Sequence, residues 1–261
     1  MWVGQQLADG LDFWGFLGSL ILGGIILGIY TGLLGYVGAK TGLSLDLLSQ
    51  RAFGEKGSYL PSAMTSFTQI GWFSVGSFVS GGTATPNFAR FAKNGKAGAI
   101  TTVVAFFIGN SLMFFFGAVS SIFVGGNDIF EVMVRLNLFY LAVLVLGLNI
   151  WTTNDNALYT AGLGLANIFH QRKKPMVLLS GIIGTVASVW LYYNFCGWLN
   201  ILNCTLPPVG MILVLAYFMN KEDFETDQPK LKTVDWFAVA GVILGAIVAN
   251  ILHWGIASIN G

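Results

Sequence analysis

The chain has 261 residues, of which 55% are hydrophobic and only 10% charged, with 34 glycines and a net charge of +1. Ordinary soluble domains are roughly 25% charged, so this composition excludes a soluble globular enzyme, a disordered chain, a coiled coil and a nucleic-acid binder. It describes an integral membrane protein whose partner is the lipid bilayer, and no residue pattern points to an obligate protein partner or a nucleic acid.

Met1-Trp2 lacks a targeting or basic flank, so the chain reads as beginning inside a longer architecture. A bilayer needs about 20 apolar residues per helix, and the first such run is 13–38. Within it Gly24, Gly28 and Gly32 recur every fourth residue, followed by Gly35 and Gly38. Small residues at that spacing let helix backbones approach closely in lipid, so a compact bundle is expected. Basic connectors follow at Lys40, Arg51 and Lys56, and again at Arg90, Lys93 and Lys96. Both are cytoplasmic by the positive-inside rule, so an even number of spans should separate them. The 33 residues between Lys56 and Arg90 are too many for one helix and too few for two. Gly71 to Gly76 runs directly into Ser77 to Gly82, so either a helix re-enters here or, the favoured reading, the chain lacks a segment between 76 and 77. Gly81, Gly82 and Pro86 interrupt a helix at membrane depth, where broken helices hold the substrate and ion sites of secondary transporters.

Further spans are expected near 99–124, 138–168, 176–194, 197–219 and 234–254, the run at 197–219 being broken by Pro207-Pro208. The connectors at Arg172 to Lys174 and at Lys221, Lys230 and Lys232 are cytoplasmic, whereas 125–137 and 195–197 hold one basic residue, Arg135, and read as external. Asn149, Thr152, Thr153 and Asn156 fall at i, i+3, i+4 and i+7, one face of a helix in mid-span. Their amide and hydroxyl oxygens are the neutral hard ligands an alkali cation accepts. Asp155 adds an ionisable group at membrane depth, the mark of an ion or substrate path. Gln69 and Trp72 share a helical face, and with Phe78 they would hold a flat heteroaromatic ligand by stacking and edge hydrogen bonds. Cys196 and Cys204 suit neither a metal pair nor a disulfide framework and read as packing residues. The sequence offers no nucleophile–base pair, phosphate-binding loop or metal-ligand cluster, so a non-enzyme is expected.

The run Leu146-Gly147-Leu148-Asn149-Ile150-Trp151-Thr152-Thr153-Asn154-Asp155-Asn156-Ala157-Leu158-Tyr159 closely resembles the eighth helix of nucleobase–cation symporters of the bacterial cytosine permease type. Gly35 to Leu43 and Gln69 to Phe73 resemble that family's second and third helices, Ser77 to Thr83 with Phe88 to Phe91 its sixth, and Pro207 to Gly210 its tenth. The resemblance implies an all-α polytopic membrane protein, a single transporter domain over 1–261 built on two inverted five-helix repeats with discontinuous helices. Against that pattern the chain is incomplete: the first half of helix one, the stretch from late helix three through helix five between 76 and 77, and helix twelve are missing, which leaves a partial first helix at 1–10. It further implies a cytosine importer of the bacterial inner membrane, driven by sodium as a coupling ion and not a prosthetic group. Trp72 and Phe78 would sandwich the ring, and Gln69, Ser77, Ser80 and Gly81 would read its polar edge. Asn149, Thr152 and Thr153 would supply part of the sodium site, with Asn149 also near substrate. Proton coupling through Asp155, another nucleobase-like ring, and a membrane structural subunit are the competing expectations.

Overall fold

The computed structural model describes residues 13–75, 83–125, 129–227, 229 and 231–251. They are helical, with no strand among them. In chain order the helices are α1 (Phe13–Thr41), α2 (Leu45–Phe53), α3 (Tyr59–Val75), α4 (Pro86–Ala89), α5 (Gly95–Val124), α6 (Ile129–Arg135), α7 (Phe139–Phe169), α8 (Lys173–Tyr193), α9 (Phe195–Met219), α10 (Lys221–Glu225) and α11 (Trp236–Ile251). Every expected span falls on one of these helices, and α3 adds a further apolar helix of 17 residues. Trp14–Thr41, Gly95–Val124 and Lys173–Leu191 are each long and apolar enough to cross a bilayer. The 31-residue α7 is longer, but it carries the polar stripe. The protein is therefore an all-α, multi-pass membrane protein.

The distribution of side chains confirms the solvent. Ile21, Leu22, Ile25, Ile26 and Ile29 lie exposed along α1, as do Ile182, Val186, Val189 and Trp190 along α8. Apolar faces this long exceed what a soluble surface carries and need hydrocarbon around them. Inside, the pattern is reversed. Ser58, Ser62, Thr65, Ser66, Thr68 and Gln69 are all buried. Hydroxyls manage this by donating back into their own helices: Thr65 Oγ1 reaches the Pro61 carbonyl at 2.8 Å and Thr68 Oγ1 the Met64 carbonyl at 2.6 Å.

Two compact units emerge, 1–29 with 103–152 and 30–102 with 153–261. In the first, a Cβ on Gly24 would meet the Phe107 ring at 3.0 Å, the close approach expected from the glycine spacing. In the second, a Cβ on Gly98 would lie 2.8 Å from the Gly35 carbonyl oxygen, so α1 and α5 touch through backbone there. The core of this unit joins Leu34 and Val37 of α1, Leu48 and Phe53 of α2, Leu213 and Tyr217 of α9, and Val242 of α11. A second cluster packs Ala157 of α7 and Leu191 of α8 against Trp198, Leu202 and Leu206 of α9. Cys204 is buried with a free thiol, a packing residue.

The expected break at Pro207-Pro208 does not occur. The helix α9 runs through both prolines to Met219. Two carbonyls one turn back lose their usual partners, but α11 closes on the prolines, with the Pro208 ring 2.9 Å from where a Gly245 Cβ would stand. Packing against that glycine holds the helix where propensity alone predicts a break.

Helix ends follow local chemistry. The first helix stops before Gly42 at φ +69°, and α2 before Gly54 at φ +86°. Ser44 caps α2 by accepting from the Leu47 amide at 3.4 Å, and Asp235 caps α11 by accepting from Phe237 and Ala238 amides at 3.1 and 3.3 Å. Pro61 and Pro175 sit in first turns, where a missing N–H costs nothing.

Candidate functional site

The basic connectors meet one another in the second unit, which is what a shared side of the membrane requires. Glu55 and Lys56 amides donate to the Lys232 and Thr233 carbonyls at 2.8 Å each. Arg51 Nη1 donates to the Asp223 carbonyl at 2.7 Å, and Lys40 pairs with Glu225 at 3.6 Å. The connector beginning at Arg90 reaches the one at Lys173 through Tyr159, which both cations touch. Sidedness inferred from Lys and Arg counts thus has a structural counterpart.

The polar stripe lies on α7. Asn149, Thr152, Asp155 and Asn156 are exposed and Thr153 is half-buried. Thr152 Oγ1 donates to the Leu148 and Asn149 carbonyls at 3.0 and 3.1 Å, so its proton is committed and its lone pairs point outward as an acceptor. Asn149 and Thr152 belong to the first unit and Thr153 to the second.

Gln69 is buried at 7% exposure on α3, and Trp72 follows one turn later on the same helix, its side chain outside the described residues. Ser77, Phe78, Ser80 and Gly81, with the 76/77 junction, also lie outside the described residues. The segment resumes at Thr83, whose Oγ1 shares a 2.8 Å hydrogen bond with Tyr30 Oη of α1. Gly38 of α1 has no space for a Cβ, which would come 2.7 Å from Pro86 Cα. Asn87, fully buried, accepts the Leu45 amide on Oδ1 at 2.8 Å and closes the N-terminus of α2.

The structure also assembles a polar cluster that sequence reasoning did not single out. Ser62 Oγ of α3 donates to Asp46 Oδ1 of α2 at 2.6 Å. Asn167, near the end of α7, donates through Nδ2 to Ser62 Oγ at 2.8 Å and Ser58 Oγ at 3.1 Å, and accepts Gln50 Nε2 at 2.6 Å. Gly164 permits the approach, since a Cβ there would overlap Ser66 Oγ. Asp46 is 5% exposed in the connector between α1 and α3. Burial pushes its carboxyl up to about 6, against the opposing pull of the Ser62 hydrogen bond, its own amide and the Arg90 charge. The legible signal was the serine spacing at 58, 62 and 66, a four-residue period that runs from the turn before α3 into its first half.

Comparison with known proteins follows the same lines. The profile of a family described as permease for cytosine/purines, uracil, thiamine, allantoin matches residues 1–83 and 74–258. The cytosine permeases of Escherichia coli strain K12 and of Escherichia coli O157:H7 are each 36% identical to this chain over 353 aligned residues, covering 100% of it and 84% of their own length. An alignment of 353 positions against a chain of 261 means that these relatives carry residues with no counterpart here.

Proposed function

The chain belongs to the permease family for cytosine/purines, uracil, thiamine and allantoin, and from that premise we propose that it imports cytosine by symport with sodium across a bacterial inner membrane. The observation that carries the choice of cytosine is the identity of 36% across the whole chain to permeases named for it. Membership makes it a transporter and not an enzyme, and the polar stripe on α7 supports an ion-coupled path.

In this reading Trp72 and Phe78 stack on the pyrimidine, while Gln69, Ser77, Ser80 and the backbone at Gly81 pair with its polar edge. Asn149, Thr152 and Thr153 offer oxygens to sodium, and Asn149 borders the substrate. Thr152 suits the role because its hydroxyl proton is already spent on its own helix, leaving only lone pairs for a cation. Sodium then favours the arrangement in which cytosine binds well, and by linkage cytosine raises sodium affinity by the same factor. Movement of one helix group against the other exposes the shared site to the cytoplasm. In the same reading the residues present in relatives and absent here belong between 76 and 77, which is supported by the overlap of the two family matches at 74–83.

Cytosine binding to the purified protein, followed by thermal shift with and without sodium, tests the proposal. Stabilisation by cytosine that grows with sodium is expected. Stabilisation indifferent to sodium would move the coupling to protons and Asp155, and folded protein that ignores cytosine would overturn the substrate.

A further inference from the structure

We propose that Arg90 and Tyr159 form a latch that holds the segment 83–90 against α7 and keeps the cytoplasmic side of the transport path closed. Arg90 Nη2 donates to Tyr159 Oη at 2.6 Å, joining residues 69 positions apart. The tyrosine ring is held from the α8 side independently of its hydroxyl, with Lys173 Nζ 3.4 Å from the ring centroid, while Phe88 of the segment itself packs beside the ring at 6.1 Å. Such a ring is a stationary post, and the guanidinium is the part that comes and goes.

The segment it holds is a wedge. Thr83, Ala84, Thr85 and Asn87 are all buried, pressed between α1, through Tyr30 and Gly38, and the start of α2, through Leu45. Arg90 itself is only half-buried at the edge of the wedge. Its hydrogen-bond partner is a neutral phenol and its guanidinium lies 4.7 Å from the Phe91 ring centroid; Asp46 feels the Arg90 charge, but no salt bridge to Arg90 forms among the described residues. A buried carboxylate pair would be hard to part, whereas one charge-assisted hydrogen bond to a neutral group holds firmly yet releases. Tyr159 lies one turn beyond Asn156 on the helix that carries the polar stripe. Closure of 83–90 is therefore anchored to the same helix that would take the ion. The latch rests on the transport reading only for what it gates.

The test uses the full chain in inverted membrane vesicles, with Thr85→Cys as reporter and a membrane-impermeant maleimide added to the cytoplasmic face. Thr85 is 4% exposed, so its replacement reacts only when the wedge opens. Tyr159→Phe removes the hydroxyl and keeps the ring, and it should speed labelling about tenfold, the worth of one charged hydrogen bond in an opening equilibrium. Arg90→Gln should do the same, and the double variant no more than either alone. Buried Cys204 is the internal control. Unchanged labelling at 85 in both variants, or equal acceleration at Cys204, would overturn the latch, the second by showing general loosening. Ala84→Cys, also buried, replaces the reporter if Thr85→Cys does not fold. Protection of the reporter by cytosine plus sodium is scored in the parent alone. Its absence would count against the transport reading while the variant effect still decides the latch.

Discussion

Asp46→Asn should stabilise the protein at neutral pH, although it removes a charge from the centre of a hydrogen-bonded cluster. Asp46 is 5% exposed, and burial raises its carboxyl from 3.8 to about 6. The folded chain thus holds that proton more tightly than the unfolded chain does. Asp46 favours folding fully below the unfolded value near 4, and this support is lost as pH rises through about 6. Above that, the fold carries a buried carboxylate at a disadvantage of about 3 kcal/mol. Asparagine keeps an oxygen to accept Ser62 Oγ, now at 2.6 Å from Asp46 Oδ1, and discards the charge. In thermal unfolding of the detergent-purified protein, the variant should melt higher at about pH 7.5, by about 6 °C at roughly 2 °C per kcal/mol. The gain should shrink progressively toward about pH 4. A variant less stable than its parent at pH 7.5, or a difference that does not change with pH, would refute the reasoning and make the Arg90 charge the dominant influence on Asp46.

Four other outcomes are expected. Thr153→Ala should raise the sodium concentration needed for half-maximal cytosine binding more than it weakens cytosine binding in saturating sodium, and equal losses in both titrations would remove Thr153 from the ion site. Asn167→Ala strands Gln50, Ser58 and Ser62, three partners within 3.1 Å, and should lower stability by about 1–3 kcal/mol, read as a drop in melting temperature. Gly164→Ala forces a methyl onto Ser66 and the Ser62 carbonyl and should cost about 1–3 kcal/mol by overpacking. Gly147→Ala, on the same helix with nothing within 4 Å, should be silent in the same assay.

The spans were legible because hydropathy reports the solvent, and the solvent here is lipid on nearly every outer face. Sidedness was legible because Lys and Arg are costly to move across it, and the contacts of Lys40, Arg51 and Lys56 with 223–233 show those connectors together. The break expected at Pro207-Pro208 failed because a proline's effect depends on what packs against it, and Gly245 lies 37 residues beyond Pro208 in the sequence. The cluster around Asp46 was hidden for the same reason. Gln50 and Asn167 are 117 residues apart, and neither belongs to a recurring motif. Of the candidate transport site, the α7 stripe was legible as a period, whereas the pairing of Arg90 with Tyr159 needed the fold.

The puzzle of the charge parity sharpens when geometry is added to it. The start of α3 and the residues after Pro86 both gather at the N-terminus of α2, Ser62 on Asp46 and Asn87 on the Leu45 amide. They therefore share a side of the membrane, and the chain between them must cross an even number of times. By resemblance α3 is the family's third helix, and its 17 residues lead on to Val75. Only residues 76–82 separate Val75 from Thr83, and seven residues are far short of the about 20 a helix needs to return. The family profile independently matches in two pieces that meet at 74–83, and the aligned relatives are longer than this chain within the matched region. Charge, packing and alignment together support the proposal that the shortfall lies within 74–83. On that proposal the late third to fifth helices of the family pattern fill the gap: α3 resembles the third helix and the run from Ser77 the sixth, so the fourth and fifth add two crossings and the total stays even.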